Sequence, residues 1–220
     1  LRMYPSIAMG LVFPLIMLVT TSLDSPSLAT ALELIRQGKS FLVIYLTAGM
    51  LAPMVSLIDF SDSYKGAWIY KVIPIAEPGS VARGATKGYV LNYILPPFLI
   101  TCAILLPILG LGRSFDMLVV FLSSLLTVLV MKGLLTKRMP FSEPYVQAQA
   151  NNIAGLFAAL AIMGGCAGIH ALLLTKRPAL YSFGVIIFIL VVVLWKKSFN
   201  YSWEDLSRET MDGEKKEVVQ

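Results

Sequence analysis

Phe60 to Gly88 reads FSDSYKGAWIYKVIPIAEPGSVARGATKG, and how these 29 residues are understood decides the fold. They form the longest break between apolar runs in the chain. Lys65, Lys71, Arg83 and Lys87 stand against Asp62 and Glu77, and Tyr64, Trp68 and Tyr70 precede a break at Pro74 and Pro78-Gly79. A solvated linker has no need of Trp and Ile every few residues, and a membrane span does not carry this much charge. We read the stretch as a folded cytoplasmic elbow, one or two short helices lying at a membrane surface.

The rest of the chain makes that reading the natural one. Only 14% of the residues are charged and 57% are hydrophobic, where soluble domains carry about 25% charge. Mean hydropathy is +0.76. Several apolar runs reach or approach the roughly 20 residues that cross a ~30 Å hydrocarbon layer. A soluble two-layer domain has no place for so many helices that are apolar all round. The expected class is an all-α, polytopic integral membrane protein.

Six spans follow, at about 5–23, 41–58, 89–109, 115–135, 151–174 and 180–195, together a transmembrane domain over 1–197. The elbow lies between the second and third. Residues 27–36 read as a short amphipathic helix, with Leu28, Leu32 and Ile35 on one face. Residues 198–220 read as a solvated polar tail. Six spans place both termini and the elbow on one side, which then holds 13 of the 18 Lys and Arg residues. That bias makes it the cytoplasmic side of a cell membrane. The formal charge of +5 belongs to these flanks, with no basic stripe for nucleic acid. No internal repeat is visible at the level of spans.

Candidate chemistry is sparse. The lone His170 has no second His and no acid in its own run, which argues for a structural role rather than a metal ligand. Asp59 and Asp116 fall at span ends, where water is expected to reach them. Cys102 and Cys166 lie inside apolar runs without CxxC spacing, as small hydrophobes. Gly79 to Thr86 has the outline of a phosphate loop, but Ala85 stands where the lysine must be. The reading is therefore a chain with no catalytic residues, no metal and no cofactor of its own, so not an enzyme by itself. Pro96, Pro97 and Pro107 interrupt the third span and are hinge candidates. Gly164 and Gly168 form a GxxxG, a helix-packing signal.

The run Ser63 to Lys71, SYKGAWIYK, followed by Pro74 and Pro78-Gly79, resembles the cytoplasmic loop of ABC-type exporter membrane subunits, bacterial permeases of the type-2 exporter kind. The opening LRMYPS is similar to the approach to a span in those proteins, and six spans match one permease unit. The resemblance implies a permease subunit whose energy comes from a separate ATP-binding cassette ATPase. It makes the elbow a coupling helix, with Tyr64, Lys65, Trp68, Ile69 and Lys71 as the docking face. A second permease subunit or half is the implied further partner, and the chain reads as the C-terminal part of a longer permease. Two other readings stand beside it. One is a secondary transporter, which calls for buried charge and paired helix breaks. The other is a non-catalytic scaffold whose elbow is a plain interfacial anchor. The transported substrate is left open, with a lean toward an apolar or amphipathic one.

Overall fold

The structure, a computed structural model, describes residues 44–204 except 74, 136 and 137, together with 12, 16, 20, 27, 29, 30, 33 and 42. The expected first span, 5–23, therefore lies almost wholly outside the described residues, as does most of 27–36. Ser27 nevertheless accepts a hydrogen bond from the Thr30 amide at 3.2 Å, the contact a helix-capping serine makes.

The described chain is helical, with one isolated bridge between Phe60 and Glu143. Helix α1 runs Ile44–Leu51 and passes into a 3-10 segment, Ala52–Asp59. Pro53 marks the change, because it has no N–H for the α-helical ladder. After a 3-10 turn at Tyr64–Trp68 and the short α2, Ile69–Val72, helix α3 begins at Pro78 and ends at Tyr89. It continues without a break through a π segment, Val90–Ile94, into α4, Leu95–Leu109. Gly110, at φ +87°, adopts a backbone that other residues rarely take, and turns the chain into α5, Ser114–Val130. A second π segment, Met131–Leu135, ends that helix. Helices α6, Tyr145–Leu173, and α7, Arg177–Lys197, complete the order.

Among the described residues four helices are long and apolar enough to cross a membrane: Pro78–Leu109, Leu111–Gly133, Gly155–Leu173 and Arg177–Lys197. Ile44–Asp59 is apolar but shorter. Successive helices run in opposite directions, so the bundle has an elbow end and a far end. Much of the surface of α7 is bare aliphatic side chain, including Val185, Ile186, Ile189 and Val193. In water that would be a large exposed patch, whereas lipid is as apolar as the side chains themselves.

Three apolar clusters fill the interior. At the far end Ile44, Tyr45, Ala48, Leu105, Met117 and Met163 pack together. At the elbow end Leu51, Val55, Ile58, Tyr89, Ile94, Val128 and Met131 do so. The third joins α5 to α7 and to the residues beyond it, through Val119, Leu122, Ile187, Val191, Phe199 and Tyr201. Gly184 lets α7 lie close to α5, since a Cβ there would come within 2.7 Å of the Phe115 ring.

Two expectations change. Residues 78–88 were assigned to the elbow, yet they are the first turns of the helix that carries the third span. Their buried side is Pro78, Gly79, Ala82 and Thr86, continued by Tyr89, a helical repeat in which most residues are small. The tail begins packed rather than solvated. Phe199 and Tyr201 are buried, the indole N–H of Trp203 donates to the Ile75 carbonyl at 2.9 Å, and the Phe199 backbone lies directly on Gly79.

Candidate functional site

Polar groups buried among apolar helices must find partners inside the protein, and they mark functional candidates in membrane proteins. Most hydroxyls here bond within their own helix, as Ser123 does to the Val119 carbonyl at 2.8 Å and Thr127 to that of Ser123 at 2.9 Å. Two groups of side chains instead link different helices, one at each end of the bundle.

At the far end Asp116, in the first turn of α5, is fully buried. Its Oδ1 lies 3.2 Å from Nε2 of His170 on α6. The guanidinium of Arg177, first residue of α7, donates to both carboxylate oxygens at 3.2 Å. Arg113, three residues before Asp116, reaches Oδ2 at 3.4 Å. On its other side, His170 Nδ1 lies 2.9 Å from the hydroxyl of Tyr45 on α1. An acceptor-only carboxylate takes the Nε2–H, and in the neutral ring Nδ1 is then left to accept from Tyr45. Three helices thus meet at one buried carboxylate, and α1 joins them through Tyr45 and His170. The outermost of its partners, Arg177, keeps 40% of its side chain exposed.

At the elbow end the arrangement is sparser. Asp59 ends the 3-10 segment of the α1 helix, and Lys132 sits in the π segment that follows α5. The Lys132 ammonium donates to Asp59 Oδ1, with both side chains 1% exposed. Its further contact is the Arg138 carbonyl at 3.4 Å. The backbone around this pair is laced to the loop after α5. Phe141 N–H donates to the Ile58 carbonyl at 2.8 Å, Glu143 N–H to Asp59 at 2.9 Å, and Ser61 N–H to Glu143 at 2.9 Å. Phe141 adopts φ +60° to make this turn.

These clusters correct the sequence reading on three points. Asp59 and Asp116 are not water-exposed boundary residues. His170 does have an acidic neighbour, supplied by another helix. Lys132, counted among the basic flanks, is buried. Arg113 apart, the pairing partners lie 54 to 125 residues apart, which no local pattern reveals. The usable signal was the presence of Lys132, His170 and Asp116 next to long apolar runs at all.

The residues of the proposed docking face are placed as follows. Trp68 is 62% exposed, Ile69 45%, and their neighbours Val72 and Ile73 are exposed as well. Lys65 is exposed and Tyr64 half-buried, while the Lys71 side chain lies outside the described residues. The segment is therefore an apolar edge that no described part of the chain covers. Pro96 and Pro97 open α4 immediately after the π segment, whose wider turn brings Leu95 N–H to the Val90 carbonyl. Such bulges relieve the clash and the missing donors that proline brings to a helix. Pro107 lies inside α4 near its end. Gly164 and Gly168 face open space, with nothing described within 4 Å of an added Cβ. Any packing they serve is with something other than the described chain. The segment with the outline of a phosphate loop is helical, with Ala82 buried against α5 and the chain end.

Among the described residues no three His, Cys, Asp or Glu side chains gather as metal ligands would. Compared with family models, with curated proteins and with solved structures, the chain matches none.

Proposed function

We propose that the chain is the membrane-spanning permease subunit of an ATP-driven exporter in a cell membrane, coupled to a separate ATP-binding subunit through the elbow. The observation that carries this reading is the uncovered edge of Trp68, Ile69, Val72 and Ile73 on a short helix beside Lys65. That helix ends at Val72, and residues 73–77 link it to the π-interrupted helix Pro78–Leu109. A partner pressing on it acts on a membrane helix with a flexible point, at Val90–Ile94 and Pro96-Pro97. Tyr64, Lys65, Trp68, Ile69 and Lys71 are the proposed docking residues. Both termini are cytoplasmic in this reading, and a second permease subunit or half completes the assembly.

The test is recovery of an ATP-hydrolysing subunit with tagged protein from native membranes. Buried aromatics dominate interface energies and cost about 2 kcal/mol or more on truncation, so Trp68→Ala should reduce recovery roughly tenfold or more at ~1.4 kcal/mol per decade. Lys137→Ala serves as control. Equal recovery with all three proteins would rule the edge out as the dock.

A second reading, a secondary transporter, gains from the buried Asp59–Lys132 and Asp116–His170 contacts, since such proteins carry charge inside the membrane. Transport by the purified chain with no ATPase present would favour it over the first.

A further inference from the structure

We propose that the Asp59–Lys132 pair is a latch that holds the elbow end of the bundle closed, and that its release frees a helix segment able to lengthen, shorten and turn.

The two partners stand on the two kinds of helix that convert most readily. The 3-10 segment Ala52–Asp59 is eight residues long, where such runs seldom exceed three or four. Something must hold it in that form. Reverting to α-helix would shorten those eight residues by roughly 4 Å, at 2.0 against 1.5 Å per residue. It would also turn their end by roughly 160°, from 120° to 100° for each residue. Either change carries the Asp59 carboxylate away from Lys132. Pro53 has already removed the hydrogen bond that would tie this segment to the last turn of α1, so the segment converts without disturbing the helix before it.

Lys132 lies in the π segment Met131–Leu135, and a third irregular segment, Val90–Ile94, meets both. Leu51, Ala52, Val55, Ile58, Ile94 and Met131 form one apolar cluster, and the Tyr89 hydroxyl donates to the Leu51 carbonyl, at the point where α gives way to 3-10. At the far end Asp116, His170 and Arg177 stand in α-helical turns or at a helix start, and the irregular backbone beside them is limited to the three-residue 3-10 turn Leu111–Arg113. The charged groups around the latch are Arg138, whose carbonyl Lys132 contacts, and Glu143, whose backbone is bonded to Asp59 and Ser61. When Asp59 moves, the elbow base at 58–61 and the loop at 141–143 move with it. The link between elbow and membrane helices is then mechanical.

The role of this motion in transport rests on the exporter reading. The latch is tested on the chain alone, with no ATPase, so a failed docking experiment leaves this one standing and the reverse also holds. Amide hydrogen exchange of the full chain in nanodiscs reads it directly. Lys132→Met should speed exchange of the amides at 55–59 and 131–135 by tenfold or more. The amides at 114–124 and 180–194 should stay within twofold of wild type. The exchanged pair Asp59→Lys with Lys132→Asp, which keeps the contact with its charges reversed, should return the elbow end toward wild-type rates, whereas the charge-free double variant Asp59→Asn with Lys132→Met, which has no latch, should stay fast. The proposal is overturned if Lys132→Met leaves 55–59 and 131–135 within twofold of wild type. It is equally overturned if that variant speeds both ends alike, or if the elbow end slows again in the charge-free double variant but not in the exchanged pair.

Discussion

The two ends of the bundle hold one buried carboxylate each and treat it differently. Asp116 shares its charge among His170 and Arg177, on α-helices, and Arg113, on the short 3-10 turn Leu111–Arg113, and one of those arginines reaches outward. Asp59 has one cationic side-chain partner, on a π turn, and is itself the last residue of a 3-10 run. Partner number alone would rank Asp116 as the more critical group. Access to water ranks them the other way. A charge stranded without water costs several kcal/mol, whereas a guanidinium that can turn toward solvent recovers its hydration. The far end is therefore redundant and rigid, and the elbow end depends on a single contact.

The largest effect should follow from Lys132→Met. It leaves the Asp59 carboxylate buried without its cation, a change that costs about 3–5 kcal/mol. Denaturation in detergent should show that loss, and Asp59→Asn in the same chain should recover most of it. Asp116→Ala should cost less, about 1–3 kcal/mol, because the stranded group is then the His170 N–H while Arg177 turns outward. If Asp116→Ala proves the more damaging of the two, the ranking by water access is wrong.

Gly184→Ala sharpens the contrast between tight and open glycines. Its Cβ meets Phe115 at 2.7 Å, and such overpacking costs about 1–3 kcal/mol. Gly168→Ala, with open space around it, should instead gain up to about 1 kcal/mol from helix propensity. Smallest is Arg113→Gln, which removes a 3.4 Å contact made by a partly exposed side chain. Its effect should stay below about 1 kcal/mol, and a larger loss would mean that the far end is less redundant than its geometry implies.

Much of the architecture was legible because lipid-crossing helices advertise themselves by length and hydropathy. The runs that became α4, α5 and α7 could be drawn from composition alone. The start of the third span could not. Gly79, Ala82, Thr86 and Tyr89 repeat at helical spacing, but three of the four are too small or too polar for an apolar stripe to stand out. Arg83 and Lys87 on the same helix pushed the reading further toward a surface segment. The polar clusters were illegible for another reason. Tyr45, Asp116, His170 and Arg177 come from four helices, and each taken singly looks like a boundary residue. Only the antiparallel order of the helices brings the far ends of α1, α5, α6 and α7 together. The aromatic and basic residues around Trp68 and Ile69 stood out because they are adjacent in sequence, and the structure leaves Trp68 and Ile69 exposed.

The packing of Phe199 and Trp203 against the beginning of α3 also bears on the order in which the chain assembles. Trp203 is made 128 residues after Ile75, and Phe199 is made long after the Gly79 it covers. During synthesis the third span can enter the bilayer while its first turns still lack their cover. That part of the molecule is finished only after α7 has been inserted. A ribosome pausing anywhere in α7 would leave Gly79 and Ala82 uncovered, so the packing of these first turns of α3 waits on Phe199 and Tyr201.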